Sequence, residues 1–453
     1  MSRRIKNILI IVGLSIMLAF LFAMPAYAVG DENDGGNYIG PKGCKFCHIE
    51  YYNNWIKTNH SRTFDRLVER GESTNASCLP CHTTGWDAGT KTYKFKDVTC
   101  EVCHSSGDIS NKIAQNVINI IYSQEDMSME NISQEDKQAI LSMINLTKKS
   151  MVRNLTSELC GRCHQGKHRP TYEEWNKSDH KISLKTLKDN PNARDACMKC
   201  MGTEYFLAQE REKPTLNTAT LGITCQRCHN VHNPQEKDLL RTSKKILCES
   251  CHTMESSKPG EAPHHSQSEM RRSMGGVDSD TYIYQPNAAC ADCHRYTRKY
   301  NQTGANEEGI TGHTFNIEFN VCLKCHEGFP SAEEAETFVK KQQEDIMGHY
   351  NYSLIKVNDA GNLTKTISGE KRAVYYRVYN QSIFNMQLVS SDASKGAHNP
   401  KYAEELINKA EVKADNILRG KPDATMDLPG FGILSGIMTL LLSVLVLTMK
   451  NRK

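Results

Sequence analysis

All eighteen cysteines of this 453-residue chain lie in nine copies of one short pattern, Cys-x-x-Cys. Histidine follows the second cysteine in eight copies, and methionine follows it in the remaining one, Cys197-Met-Lys-Cys200-Met201. Two thiols at this spacing can add to the two vinyl groups of one haem, whose iron the adjoining side chain can then bind. Zinc knuckles and exported disulfides also use paired cysteines, but neither requires histidine at the next position. Since only 17 of the 453 residues are histidine, its recurrence predicts covalent haem attachment.

The candidate haem-binding residues form three sets, and we number the nine motifs 1 to 9 in chain order. The cysteines predicted to hold nine haem c groups are Cys44, Cys47, Cys78, Cys81, Cys100, Cys103, Cys160, Cys163, Cys197, Cys200, Cys225, Cys228, Cys248, Cys251, Cys290, Cys293, Cys322 and Cys325. The residues predicted to bind iron from the motif side are His48, His82, His104, His164, Met201, His229, His252, His294 and His326. The candidates for the opposite faces of the irons are the remaining histidines, His60, His168, His180, His232, His264, His265, His313, His349 and His398.

The balance between irons and ligands leaves two outcomes open. If all nine remaining histidines bind, eight irons have two histidine ligands and the iron of motif 5 has methionine and histidine. Irons with six ligands transfer electrons and bind no substrate. A single histidine left at the surface would instead leave one iron open.

Met201 is the candidate for unusual iron chemistry. A thioether is a soft, neutral ligand that favours ferrous iron, so a methionine–histidine haem has a higher reduction potential than its bis-histidine neighbours. If Met201 turns away, the iron of motif 5 has an open face and becomes the candidate catalytic site. Beyond this candidate, the motifs assign no catalytic residue.

The composition fits a chain that is wrapped around cofactors. Only 38% of the residues are apolar and the mean hydropathy is −0.56, which is low for a soluble core of this size. Porphyrins would supply the missing apolar bulk, so we expect a mainly α fold with long irregular loops around closely packed haems and little or no β-sheet. Haem propionates would form ion pairs with many of the 56 Lys and Arg residues, so the pI of 8.2 does not indicate a nucleic-acid partner.

The order of features along the chain predicts eight segments. They are a signal peptide (1–28), an N-terminal three-haem segment (29–110), a helical insertion (111–158), a six-motif haem region (159–330), a C-terminal helical segment that supplies haem ligands (331–420), a linker (421–429), a transmembrane or sorting-signal helix (430–449) and a basic tail (450–453). The signal is predicted from a basic start, an apolar run and Ala26-Tyr-Ala28, with a retained anchor as the alternative. Nine Asn-x-Ser/Thr sequons suit a glycosylated outer surface.

The N-terminal motifs carry a family resemblance. The relevant stretches are Tyr38-Ile-Gly, Cys44-Lys-Phe-Cys47-His48, Trp55 to His60, Cys78 to Gly85 and Val98 to His104. Their order and spacing resemble the tetrahaem cytochromes that accept electrons from hydroxylamine oxidoreductase. The resemblance implies electron transfer, with histidines on both faces of most irons.

A short sequence repeat supports two of the opposite-face candidates. Trp55-Ile-Lys-Thr-Asn-His60 follows motif 1, and Trp175-Asn-Lys-Ser-Asp-His180 follows motif 4. An aromatic side chain packed on a porphyrin with a histidine further along suits an axial ligand. The alternative is an amphipathic helix with a surface histidine.

The C-terminal part resembles a second class of multihaem proteins. Helices are predicted at Ala332–Ile346 and Pro400–Leu418, and the turn before the second one contains Gly396-Ala-His398-Asn-Pro. This turn is similar to one in pentahaem nitrite reductases and octahaem hydroxylamine oxidoreductases, which implies that His398 binds a haem. The octahaem enzymes also bond a tyrosine to the catalytic haem, so the candidates here are Tyr375, Tyr376 and Tyr379, although packing is their expected role.

The chain end predicts a tether. Leu428-Pro-Gly-Phe431 is followed by an apolar run and a basic tail, which either spans a bilayer or, by its resemblance to an archaeal sorting signal, is replaced by a lipid. We therefore expect an exported multihaem c-type cytochrome at the outer face of the cytoplasmic membrane or the cell surface. Its partners would be a membrane quinol or other electron donor and an extracellular acceptor or another cytochrome, and assembly into homo-oligomers is left open. The alternative is an octahaem-class oxidoreductase that acts on nitrite, hydroxylamine or a sulfur oxyanion at one open haem.

Overall fold

The computed structural model describes residue 38 and residues 40–104, 154–254, 262–279, 288–301 and 308–422. The chain divides into two compact units, residues 1–154 and residues 155–453. The predicted signal peptide, most of the predicted helical insertion and the predicted C-terminal span lie outside the described residues. Within the described ranges, no helix combines the length and the apolar character needed to cross a bilayer.

The first unit consists of short helices and loops. Its elements are helices α1 (Gly40–Cys47), α2 (Ile49–Trp55), α3 (Thr63–Glu69), α4 (Leu79–His82) and α5 (Cys100–His104), a 3₁₀ turn at Asn59–Arg62, and strands β1 (Thr83–Thr84) and β2 (Phe95–Lys96). The strands pair antiparallel, with Thr83 opposite Lys96. A small core of Phe64, Leu67 and Leu79 packs against Trp86 and Tyr93. Motif residues therefore occupy much of the regular structure of this unit.

The motif region of the second unit has the same character. Its helices are α6 (Ser157–Gly161), α7 (Thr171–Asn176), α8 (Ser183–Asp189), α9 (Met198–Met201), α10 (Thr203–Leu207), α11 (Cys225–Cys228), α12 (Lys244–Glu249), α13 (Gln267–Arg272) and α14 (Cys290–His294), with 3₁₀ turns at Asp195–Cys197, Glu210–Glu212, Lys237–Leu239 and Phe319–Lys324. A separate small core surrounds the fully buried Met198.

Three long helices complete the second unit and form its main apolar core. They are α15 (Ala332–Thr366), α16 (Lys371–Ser391) and α17 (Pro400–Leu418). Met386, Leu406 and Ile417 are among the fully buried side chains between them. The side chain of Asn399 caps α17 by accepting a hydrogen bond from the Tyr402 backbone N–H, and Pro400 occupies the first turn, where its missing N–H costs nothing.

The expected fold class is confirmed: the described residues are mainly helical, with irregular connections and one two-stranded sheet. The helix predicted at Pro400–Leu418 has those bounds in the structure. The helix predicted to end at Ile346 continues to Thr366, because residues beyond Ile346 such as Val357 and Ala360 pack fully buried in the bundle core.

Candidate haem-binding sites

The backbone of the motifs explains why this spacing can hold one cofactor. In motifs 1, 4, 6, 7 and 9 the backbone N–H of the histidine donates to the backbone carbonyl of the first cysteine, at 2.8–3.0 Å, as in one turn of helix. Residues at positions i, i+3 and i+4 of a helical turn share one face. In motifs 4, 6, 7 and 9 both thiols and the histidine therefore lie on the same side of the backbone, as attachment to a single haem requires.

Two other arrangements of paired cysteines, disulfides and metal-ligand clusters, can be looked for among the described residues. No disulfide links the described motif cysteines. Nor does the described part of the chain contain a group of three or more His, Cys, Asp or Glu side chains that could hold a metal ion in the manner of a zinc knuckle.

Hydrogen bonds orient several motif histidines. The Nδ1 atoms of His82, His229 and His294 lie 2.8, 2.8 and 3.0 Å from backbone carbonyl oxygens. A carbonyl only accepts, so Nδ1 carries the proton and Nε2 is the nitrogen with the lone pair. Metal-bound imidazoles in proteins commonly donate their other ring N–H to a carbonyl in this way, which fixes the orientation of the ring.

Three motif histidines face a second histidine across a gap of the right size for iron. The ring centroids of His252 and His180 are 6.3 Å apart, those of His229 and His313 are 6.2 Å apart, and those of His294 and His398 are 6.0 Å apart. Two imidazoles that bind opposite sides of one metal at about 2.0 Å place their centroids roughly 6 Å apart. The arrangement fits bis-histidine iron at motifs 6, 7 and 8.

The opposing histidines are themselves held by hydrogen bonds. The Thr311 hydroxyl donates to Glu174 at 2.7 Å, so it can only accept from the Nδ1–H of His313, 3.0 Å away. Asp392, which is buried, accepts from Nδ1 of His398 at 2.5 Å. In both residues Nε2 is thereby left with the lone pair that binding to iron would need.

Burial keeps two of these imidazoles neutral. It lowers the pKa of His180 to about 4, with the nearby His252 as a second cause. It also lowers the pKa of His313 to about 3, assisted by Arg295 and His229. Metal ions bind neutral imidazole, so these side chains need not lose a proton near neutral pH before they bind.

His349 lies in a different environment. It projects from α15 towards α17, where Nδ1 is 2.6 Å from Glu404 and Nε2 is 3.3 Å from Glu411. The hydrogen bond to Glu404 is the main cause that raises the pKa of His349. Because both ring nitrogens contact carboxylates, this geometry does not favour the predicted iron ligation by His349.

The other candidates lie among the described residues, and their ligand roles stay predictions. The rings of His264 and His265 are perpendicular, with their centroids 5.2 Å apart. Met201 packs against the small core around Met198, and its carbonyl accepts from the Ser183 hydroxyl at 3.1 Å. Of the tyrosine candidates, Tyr375 and Tyr379 pack in the core of the long helices, in the packing role expected for them.

The structure extends the short sequence repeat into a larger one. The Trp55 indole donates to the Val98 carbonyl at 2.9 Å, and the Trp175 indole donates to the Ile223 carbonyl at 3.0 Å. Each acceptor lies two residues before the first cysteine of a motif, Cys100 in one case and Cys225 in the other. The indole N–H thus anchors the approach to a later motif, a role that the sequence pattern alone did not assign.

Threonines provide a second pair of equivalent contacts. The Thr99 N–H donates to the Thr84 hydroxyl, and the Thr224 N–H donates to the Thr203 hydroxyl, both at 2.9 Å. We call residues 44–104 the first repeat and residues 160–229 the second repeat. Motifs 1, 2 and 3 then correspond to motifs 4, 5 and 6, and Met201 takes the place of His82. The shared Val/Ile-Thr-Cys before motifs 3 and 6 is the sequence signal that could have revealed this.

Family models match most of this motif region. The model for cytochrome c554 and c-prime matches residues 43–105 and 159–230, the model for cytochrome c552 matches residues 279–419, and the doubled CXXCH motif matches residues 219–256. The chain is a multihaem c-type cytochrome. The family matches and the Cys-x-x-Cys-His motifs imply covalently bound haem c.

Solved structures similar to this cytochrome include other multihaem proteins. The crystal structure of the outer cell wall cytochrome OcwA matches with a TM-score of 0.60 and 21% identity, over 83% of this chain and 99% of that chain, which shows a shared fold. An undecahaem cytochrome from the S-layer of Carboxydothermus ferrireducens has a TM-score of 0.48 and 20% identity, over 77% of this chain and 56% of that one. Cytochrome c nitrite reductase from Desulfovibrio desulfuricans ATCC 27774 has a TM-score of 0.27 and 14% identity, over 87% and 68%. No curated protein sequence matches the chain.

Proposed function

We propose that this cytochrome is an exported electron relay that holds nine haems and passes electrons between a donor at the membrane and an extracellular acceptor or partner cytochrome. Haem supplies the one-electron chemistry, and the polypeptide supplies spacing, axial ligation and burial. The proposed tether at residues 430–449 lies outside the described residues.

The observation that carries the proposal is contact between the attachment points of different motifs. Hydrogen-bonded thiol pairs join motif 1 to 3, 4 to 6, 5 to 7 and 7 to 8; they are Cys44 with Cys100, Cys160 with Cys225, Cys200 with Cys251, and Cys248 with Cys290. Once haem is attached these sulfurs are thioethers without a proton, so what the pairs indicate is that the attachment points of different motifs lie close together.

Weaker electrostatic contacts connect these pairs into one series. Cys228 of motif 6 interacts with Cys251 and Cys248 of motif 7, and Cys293 of motif 8 interacts with Cys322 of motif 9. In the second unit the motifs therefore follow the order 4, 6, 7, 8, 9, with motif 5 attached at motif 7. We call this order the relay path. A continuous path of attachment points is what transfer of electrons along the unit needs.

A second candidate function follows from His349. With that residue engaged by two carboxylates, sixteen histidines and Met201 remain, which is one ligand fewer than the eighteen that nine six-coordinate irons require. One open iron favours the alternative of an oxidoreductase that reduces or oxidises nitrite, hydroxylamine or a sulfur oxyanion.

Interruption of the relay path tests the first candidate. The purified full-length protein is reduced by dithionite in a stopped-flow cell, after intact-mass measurement of the number of haems. The variant Cys248→Ala/Cys251→Ala, without motif 7, should show separate fast and slow phases because motif 5 and motifs 8 and 9 all lose their link to motifs 4 and 6. Loss of motif 9 in Cys322→Ala/Cys325→Ala is the control, and it should reduce the amplitude alone. Identical single-phase traces from both variants would refute the relay.

Low-temperature EPR of the oxidised protein tests the second candidate. A high-spin signal that changes on addition of nitrite or hydroxylamine supports an open iron that binds substrate. A spectrum with low-spin signals alone, unchanged by either compound, excludes that function and leaves the relay.

A further inference from the structure

One cation lies where three motifs of the relay path meet. Arg227 belongs to motif 6, between Cys225 and Cys228. Its Nη2 donates to the Cys251 sulfur of motif 7 at 3.2 Å and to the Lys199 carbonyl of motif 5 at 3.3 Å. The junction of the path is thus built around a guanidinium.

The charge is buried. Arg227 is 6% exposed, and its guanidinium carbon lies 3.7 Å from the centroid of the Phe206 ring. Its Nε is buried without a hydrogen-bond partner. Among the described residues, no ion pair joins Arg227 to a carboxylate.

A second cation reinforces the field. The guanidinium of Arg241 lies 5.8 Å from the same Phe206 ring, and its Nε donates to the Gln226 carbonyl at 2.7 Å. Burial lowers the pKa of Arg241, and the neighbouring Arg227 charge lowers it further. Two cations held close together in this way cost free energy unless negative charge arrives nearby.

An added electron is such a charge. The Cys251 sulfur, to which Arg227 donates a hydrogen bond, is one of the two predicted attachment atoms of the haem of motif 7. A positive charge at short distance in a partly dry interior favours the ferrous over the ferric state, because Coulomb attraction is screened less there than in water. Reduction takes one electron from a neighbouring ferrous centre of the path and needs no other co-reactant.

We propose that Arg227 raises the reduction potential at motif 7 and so makes the junction of the relay path the place where electrons collect. This inference rests on the proposed relay. Arg227 acts through its charge and its hydrogen bond, not as an iron ligand. A haem of high reduction potential at motif 7 would accept electrons that enter the path at motif 4, 5 or 9.

Spectroelectrochemical titration of the full-length holoprotein tests the assignment. In Arg227→Gln the haem that is reduced first should have a lower reduction potential. The equilibrium constant for its reduction should fall about tenfold, which corresponds to about 59 mV for one electron. Arg227→Lys keeps the charge and should stay within about twofold of the unmodified protein, a margin well below a tenfold effect. Arg162→Gln is the matched control, since Arg162 has the same place within motif 4 but is exposed.

The possible outcomes distinguish a failure of the Arg227 proposal from a failure of the relay on which it rests. Titration curves of Arg227→Gln and Arg162→Gln that superimpose would overturn the role of Arg227, as would a shift in Arg227→Lys as large as that in Arg227→Gln. If Arg227→Gln loses a haem by intact mass, Arg227→Lys and Arg241→Gln decide, with a smaller downward shift expected in the latter. The relay itself is judged on the same samples from haem number and reduction phases, which these titrations do not determine.

Discussion

The two repeats of this cytochrome share a set of backbone hydrogen bonds but differ within their haem motifs. In both, an indole donates to the backbone ahead of the third motif and a threonine hydroxyl receives the N–H beside its first cysteine. Where the first repeat has His82 the second has Met201, and where the first has Val102 the second has Arg227. The hydrogen bonds that fix the backbone thus involve other residues than Met201 and Arg227, which we propose adjust the redox properties. A repeat of this kind can be retuned without being refolded.

The largest expected effect comes from giving the second repeat, at position 201, the histidine that the first repeat has at position 82. His82 is oriented by the Thr63 carbonyl at 2.8 Å, whereas Met201 packs beside Leu184 and Leu187. Met201→His should lower the potential of one haem by a sizeable fraction of the roughly 0.8 V that axial ligands span, because imidazole favours ferrous iron less than a thioether. Optical redox titration measures the shift.

Met201→Leu shows whether the thioether is a ligand. Leucine keeps the apolar packing but cannot bind iron, so a new high-spin EPR signal is expected. An unchanged low-spin spectrum in Met201→Leu would mean that the thioether does not reach iron.

The second largest effect should come from the shared indole. Trp175 is buried and Trp55 is half-buried, although both donate the same hydrogen bond. Trp175→Ala should destabilise the second unit by about 3–5 kcal/mol through lost packing and a cavity. Trp55→Ala should cost the first unit less. Urea unfolding followed by haem absorbance gives both values.

Trp175→Phe separates the hydrogen bond from the packing. It leaves the Ile223 carbonyl without the indole donor and should cost about 1 kcal/mol. Equal losses in Trp175→Ala and Trp55→Ala would contradict the difference in burial on which the prediction rests.

Removal of the threonine hydroxyls should destabilise the protein less than removal of Trp175, and the loss should be equal in the two repeats. Thr203 and Thr84 are fully buried, and each hydroxyl accepts one backbone N–H at 2.9 Å. Thr203→Val and Thr84→Val keep the shape but leave a buried donor unpaired, at a cost of about 1–3 kcal/mol each. The serine variants retain the acceptor and serve as controls in the same unfolding experiment. A cost in only one repeat would argue against a common frame.

What the sequence could predict depended on how far apart the interacting residues are in the chain. The motif spacing could predict the attachment sites because one helical turn brings both thiols and the histidine together. The internal repeat named His180 and a family resemblance named His398, and in the structure the rings of both lie about 6 Å from those of motif histidines. The environment of His349 was beyond sequence reasoning, since Glu404 and Glu411 lie on another helix 55 and 62 residues away. Arg227 likewise looks like an ordinary variable position of its motif until the three motifs are seen to meet.

The smallest expected effect distinguishes His349 from the histidines that have one nitrogen left for iron. The folded protein raises the pKa of His349, mainly through the hydrogen bond to Glu404, so its ion pairs stabilise the fold fully below about 6.5, the ordinary value. That contribution is lost as the pH rises through the higher folded pKa. His349→Gln should therefore be about 1 kcal/mol less stable than the unmodified protein at pH 6, and the difference should shrink at higher pH.

The same variant decides whether His349 binds iron. Its side chain is 26% exposed, and Lys356 shares Glu411 at 2.5 Å, so the carboxylate keeps a partner when the imidazole is removed. The EPR spectrum and haem number of His349→Gln should equal those of the unmodified protein. His398→Gln is the matched comparison, because its imidazole faces that of His294 and its loss should convert one low-spin haem to high spin. A new high-spin signal in His349→Gln would return His349 to the iron ligands and remove the argument for an open iron, since every iron could then have six ligands.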